Sequence, residues 1–226
     1  TGREILTFNP DADVVPGGAV EGQGVAFRWP GSYNSPDALT GLSDGQIDDL
    51  LYFAPHASST GDAGEIAINQ AYGTALTNYL RGQRSNEGVG YSFRTRNSVL
   101  GDIVNSDPRY VGAPKFRYPE SVAPKSYAAF QSAYAARAPM VYVGANDGLL
   151  HGFAEADGRE KIAYMPNAVF ENIASLSRAD YSHRYFVDSG HTIVDAFLAT
   201  MDDPDSGVDG LWRSVLAAGV GGGPAC

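Results

Sequence analysis

The sequence has a single cysteine, Cys226, and it is the last residue. One thiol makes neither an intrachain disulfide nor a Cys-rich zinc site. No apolar run reaches the roughly 18 residues that carry a helix across a bilayer. No basic stretch followed by an apolar core opens the chain, so no signal peptide is read there. Cations are scarce as well: 16 Lys and Arg stand against 26 Asp and Glu, a formal net charge of −10. That balance speaks against nucleic acid as a partner, because a phosphate backbone attracts clustered Lys and Arg. It fits an exported protein whose acidic surface keeps it in solution, the preferred reading, or one that takes up divalent cations. Catalytic signatures are missing too. There is no Gly-x-Ser-x-Gly nucleophile turn and no His-Glu-x-x-His zinc motif. No glycine-rich segment sits between strand and helix with phosphate-cradling spacing.

Turns and strands are what the sequence does have. It holds 27 Gly and 13 Pro, which favour many turns over long helices, and 13 Tyr and 10 Phe, which suit strands. At 43% hydrophobic it can bury a core. Near the start, Ile5–Phe8 and Val25–Trp29 read as short strands. Ser43 and Gln46 form the pattern of a capping box opening a helix over residues 43–53, with Ile47, Leu50 and Leu51 on one face. A second helix is expected over residues 65–80, from Ile66, Tyr72, Leu76, Tyr79 and Leu80, with Gly82 past its end. Residues 91–114 carry short strand runs and a Ser-Asp-Pro turn, and residues 124–137 a small amphipathic helix.

The clearest pattern follows. Met140–Gly144 is a strand, Ala145-Asn146-Asp147-Gly148 a tight turn of residues that tolerate positive φ, and Leu149–Phe153 the returning strand. A turn at Ala156–Arg159 leads to a third strand at Lys161–Met165. Strands joined in this way form a meander, the unit of a propeller blade. Asn167 is expected to cap a helix with Val169, Phe170, Ile173 and Leu176 as its stripe. Tyr185–Asp188 and Thr192–Phe197 alternate like a hairpin turning at Ser189-Gly190, and Leu211–Val220 reads as a strand heading into glycine. The expected fold is mainly β with short helical insertions: part of a β-propeller, about two blades plus an irregular N-terminal segment. Residues 1–75 form the lead-in and residues 76–226 the first blades. The abrupt first residues and the closing glycine run read as those of a fragment.

Several stretches, in order, resemble the C-terminal propeller of PilY/PilC-type proteins of type IV pilus biogenesis. They are Tyr79–Gly82, Arg94 with Arg96, Leu100–Pro108, Val141–Phe153, Ala163–Phe170, His183–Asp188 and Trp212–Leu216. The resemblance covers residues 76–223 closely and residues 1–75 loosely. It implies a non-enzymatic adhesion and pilus-biogenesis module, exported to the cell surface, the pilus tip or the outer membrane. It implies pilins or minor pilins as partners, and a host or surface receptor. Such proteins carry a calcium loop of the kind Asp-x-Asp-x-Asp-Gly-x-x-Asp in the propeller. No such run occurs here, and the family places it past this chain, so no cofactor is expected within residues 1–226.

Each remaining group has a plainer reading. Asp203, Asp205 and Asp209 could offer oxygens to a metal such as calcium, but the run has a Pro inside and lacks a bidentate Glu, so a solvated acidic loop is favoured. His151, His183 and His191 are expected to be structural histidines satisfied by backbone groups. Arg81, Arg84, Arg94 and Arg96 could dock a partner carboxylate, with internal ion pairs to Asp102 and Asp107 preferred. Two other functions compete. A quinoprotein-type dehydrogenase also uses strand–turn–strand blades, though this chain has only Trp29 and Trp212 and no Trp-docking repeat. A structural propeller of unknown ligand is the fallback, since fold does not fix function. A partial propeller leaves a blade edge unpaired, so residues 1–226 alone are expected to melt without cooperativity.

Overall fold

A computed structural model describes residues 3–12, 22–30, 41–55, 63–198 and 210–221. Among the described residues, eight strands build two sheets. They are β1 (Glu4–Asn9), β2 (Gln23–Ala26), β3 (Arg109–Val111), β4 (Met140–Gly144), β5 (Leu150–Ala154), β6 (Glu160–Met165), β7 (His191–Leu198) and β8 (Leu211–Ala218). The helices are α1 (Asp44–Leu51), α2 (Ala63–Leu80), α3 (Tyr127–Ala133) and the single turn α4 (Phe170–Ile173), the last flanked by 3-10 turns.

The larger sheet runs in the order β2-β1-β6-β5-β4-β3. Its last four strands, β6-β5-β4-β3, form an antiparallel meander, the unit of a propeller blade. The smaller sheet is the antiparallel hairpin of β7 and β8, paired from His191–Ala218 to Leu198–Leu211. One complete meander and one two-stranded unit thus stand where about two blades were expected. The N-terminal strands join the same sheet: β1 lies parallel to β6, with Glu4 opposite Ile162 and Thr7 opposite Met165. Residues on either side of the expected 75/76 division also share one core, because α1 and α2 pack with α4 against the sheet.

Local chemistry explains most of the elements. Ser43 Oγ accepts from Gln46 N while Gln46 Oε1 accepts from Ser43 N, which closes the capping box on α1. Ser43→Ala is therefore expected to cost about 1 kcal/mol, read as a lowered melting temperature that Ser43→Asp restores. Gly82, at φ 101°, ends α2 in the left-handed conformation that glycine adopts freely. Along β1 the side chains alternate, burying Ile5, Thr7 and Asn9, and Thr7 Oγ1 donates to Met165 O across the parallel pair. Phe27 meets Phe170 edge-on at 5.9 Å in the main core. A second cluster of Tyr127, Phe130 and Trp212 holds α3 to the β7–β8 hairpin, where Trp212 Nε1 donates to Lys125 O.

Four local expectations need correction. The Asn146-Asp147-Gly148 turn forms, but only Gly148 has positive φ; Asp147 shapes the turn instead by accepting from Leu149 N. Asn167 caps no helix, since its Oδ1 accepts from Gln46 Nε2 and the helix after it is a short 3-10/α/3-10 run. Within residues 91–114 only β3 is a strand. Tyr185–Asp188 does not pair with β7, whose partner is β8. Phe186 N donates to Asn146 Oδ1, and the Asp188 carboxylate accepts from Asn105, so side chains of distant loops take the segment that a hairpin would need.

Candidate functional site

Three segments far apart in sequence meet at the ends of β4 and β5: the loop 100–108, the turn 145–148 and the segment 183–188. Asn146 is the hub. Its N–H donates to Asp102 O, its Nδ2 to Asp102 Oδ2 at 2.9 Å, and its Oδ1 accepts from Phe186 N. Asp188 accepts from both the backbone and the side chain of Asn105, at 3.0 and 2.5 Å. His183 Nε2 lies 2.9 Å from Asp102 Oδ2. Burial alone would raise the Asp102 pKa; the hydrogen bonds from Asn146 and His183 outweigh it and hold the carboxyl below its usual range. Glycine is required where Gly101 passes the turn, because a Cβ there would stand 2.3 Å from Asp147 N.

A buried charge chain runs from this hub into the sheet. Asp147 accepts from Gly101 N through Oδ2, and its Oδ1 faces His151 Nε2 at 3.1 Å. His151 Nδ1 faces Glu160 Oε1 at 2.7 Å, and Glu160 pairs with Arg3 at 2.5 Å. His151 is wholly buried, yet both ring nitrogens face carboxylates. Burial pulls its pKa down, but the bonds to Asp147 and Glu160 prevail and raise it to about 9. Its partners are thus carboxylates rather than the expected backbone groups.

His191 and Ser106 form a second buried junction. Ser106 Oγ lies 2.8 Å from His191 Nε2, and Gly144 N–H donates to both. A serine–histidine pair invites a nucleophile reading, which needs an acid on the other ring nitrogen. Nδ1 has no such partner among the described residues, and Asp195 accepts from Tyr127 and Ser214 instead. The pair ties the 100–108 loop to β4 and β7.

Arg84 and Arg96 do pair internally, but with a different acid. Arg84 and Arg96 both reach Glu87, and Arg96 also lies over the Tyr79 ring at 3.7 Å. Burial would raise the Glu87 pKa; the bonds from Arg96 and Arg84 lower it. Arg94 donates to Leu176 O and stacks on Tyr181, and Arg81 donates to Phe27 O. Arg94, Tyr181, Asp102 and His183 line a cavity of about 380 Å³ beside the hub. Such a cavity has the donors and acceptors to recognise a polar group. Among the described residues no three His, Cys, Asp or Glu side chains converge as a metal site would need. Asp203, Asp205 and Asp209 lie outside the described residues. Sequence reading missed Glu87 and Glu160, each nine residues from a partner, Arg96 and His151 respectively, and it did not pair Ser106 with His191 or Asp188 with Asn105.

A propeller blade whose loops are clamped by buried side-chain bonds defines the class of this chain. Residues 100–222 match the family described as the PilY1 beta-propeller domain, and the chain belongs to that family. It is 41% identical over 164 residues to a type IV pilus biogenesis factor PilY1 homolog of Xylella fastidiosa (strain Temecula1), covering 71% of this chain and 13% of that protein. It is 41% identical over 151 residues to the type IV pilus biogenesis factor PilY1 of Pseudomonas aeruginosa (strain PAK), covering 64% of this chain and 12% of that one. The chain therefore spans about an eighth of the length of these relatives. No solved structure matches at a significant level.

Proposed function

We propose that this chain is a non-catalytic part of a type IV pilus biogenesis and surface-adhesion protein, exported to the cell surface and working at the pilus tip. The carrying observation is that the matched propeller stretches, up to about 85 residues apart, converge on one clamped hub around Asn146 and Asp188. The relatives' names support the pilus role over an oxidoreductase role. In this reading the clamp holds a rigid loop surface at one end of the blade for contact with pilins or minor pilins. Bonds that are satisfied inside the fold serve shape rather than turnover. No helix among the described residues is long and apolar enough to cross a membrane.

The test is chromosomal. Deleting residues 100–222 from the full-length gene is expected to abolish surface piliation and twitching while the pilin itself is still made. Asn146→Ala with Asp188→Ala, which unclamps the hub, is expected to reduce both. Piliation and twitching at parental level in the deletion strain would overturn the reading.

A further inference from the structure

A second cavity, of about 360 Å³, lies away from the hub, between β3 with the loop after it and the β7–β8 hairpin. Its charged and polar walls are Arg109, Lys115, Arg137, His191, Asp195 and Ser214. The balance is unusual for a chain of net charge −10. Three cations face one carboxylate, and that carboxylate is already occupied: Asp195 accepts from Tyr127 OH through one oxygen and from Ser214 Oγ through the other. Neither Lys115 nor Arg137 has a carboxylate within ion-pair distance among the described residues, and Arg109 has only a loose contact of 3.8 Å with Asp107. Arg137 donates to Gly112 O through Nε and Nη2 and to Ser214 Oγ through Nη1. That commits three of the five N–H groups of a guanidinium and leaves two.

His191 supplies an independent observation. It is 1% exposed. Gly144 N–H donates to its Nε2, so Nε2 is an acceptor and the proton of the neutral ring sits on Nδ1. Burial, with Arg109 adjacent, pushes the pKa of this ring down and keeps it neutral. Nδ1–H is therefore a buried donor, and it has no hydrogen-bond partner among the described residues. Buried donors are almost always satisfied. His191 lines the cation-rich cavity, with Nδ1–H lying beneath its surface.

We propose that this cavity binds a carboxylate, with Arg137 and Lys115 supplying the charge. A planar carboxylate suits the two N–H groups of Arg137 that remain, since guanidinium and carboxylate match geometrically. Asp195 disfavours a dianion such as phosphate. The carboxylate has two sources, a free small acid or an acidic side chain of another protein.

Calorimetry on the full-length protein distinguishes them. The probes are succinate, inorganic phosphate, a short blocked peptide with two glutamates, and its glutamine counterpart. The glutamate peptide or succinate is expected to bind, and the glutamine peptide is not. Tighter binding of the peptide assigns a protein partner; equal or tighter binding of succinate assigns a free acid. Arg137→Gln is expected to weaken binding roughly ten- to a hundredfold. Because Arg137 also holds Gly112, Lys115→Ala is the second variant; its ring contact with Tyr110 is its one described interaction and its loss should leave the fold intact. It is expected to weaken binding several-fold at an unchanged melting temperature. Absence of binding by both carboxylate probes, phosphate binding as tight as theirs, or an unaltered affinity in both variants would overturn the proposal.

Discussion

Replacing His151 with alanine is expected to destabilise the sheet by about 3–5 kcal/mol, the cost of breaking a buried charge pair from one side. The ring lies between Asp147 and Glu160 with no exposure, so its removal leaves two carboxylates facing a void without their cation. In a domain of this size that corresponds to a fall in melting temperature of order 10 °C. The pH dependence carries the finer test. The folded-state pKa of about 9 lies above the value of about 6.5 for a free histidine. The stabilisation from the imidazolium, about 3 kcal/mol, is therefore fully present below pH ~6.5 and is lost as pH rises through about 9. Glu160 works in the opposite sense. Burial would raise its pKa, but the bonds from His151 and Arg3 hold it below the usual range, so its contribution is lost as pH falls into the acid range. The unmutated protein is expected to lose melting temperature from about pH 6.5 to pH 9. His151→Gln should be flat over that upper range. The same slope in both proteins would show that His151 is not held as a cation.

Gly144→Ala is expected to cost about 3 kcal/mol, the upper part of the usual range for overpacking. The backbone of Gly144 is not in the left-handed region, so alanine suits its conformation and only space forbids it. A Cβ would stand 2.3 Å from Val187 O and 2.7 Å from Val187 Cγ1. The obstacle is a carbonyl that cannot swing aside, because Phe186 and Asp188 on either side are held by Asn146 and Asn105. Accommodating the methyl group means moving segment 185–188 and opening the clamp. Hydrogen exchange should quicken at the amides of Asn105, Gly144 and Phe186 together. Gly190→Ala is the control: a Cβ there meets nothing within 4 Å and the backbone does not need glycine, so its effect should be close to zero. A Gly144→Ala protein as stable as the control would mean that segment 185–188 is not locked against β4.

Where the fold was legible in the sequence, the signals were local. The Ser43–Gln46 box, the glycine after α2 and the β4–β5–β6 meander each rest on residues within a turn or two of one another. What escaped was decided at long range. Tyr185–Asp188 alternates like a strand, but Asn105 and Asn146, some 80 and 40 residues upstream, claim it. The parallel pairing of β1 with β6 joins residues more than 150 positions apart, and no alternation pattern within β1 names its neighbour. The site shows the same division. The family motifs marked Asn146, Asp102 and His183, while the acid that quenches Arg84 and Arg96 is Glu87 rather than Asp102 or Asp107. Closeness in sequence suggested internal ion pairs; packing gave them to Arg84 and Arg96 and set Arg81 and Arg94 on backbone carbonyls.

The two sheets also differ in how they would meet a pull along the chain. In β1 and β6 the strands run the same way, so tension between residue 3 and the chain beyond residue 165 slides them lengthwise. Every bond of that seam is then strained at once, together with Thr7 to Met165 and Arg3 to Glu160. The β7–β8 hairpin enters and leaves at the same end, where His191 faces Ala218. Tension there opens one rung at a time, as a zip does. The chain thus contains a shear-loaded seam that resists traction and a hairpin that yields to it, and the order in which they give way is written in strand direction alone.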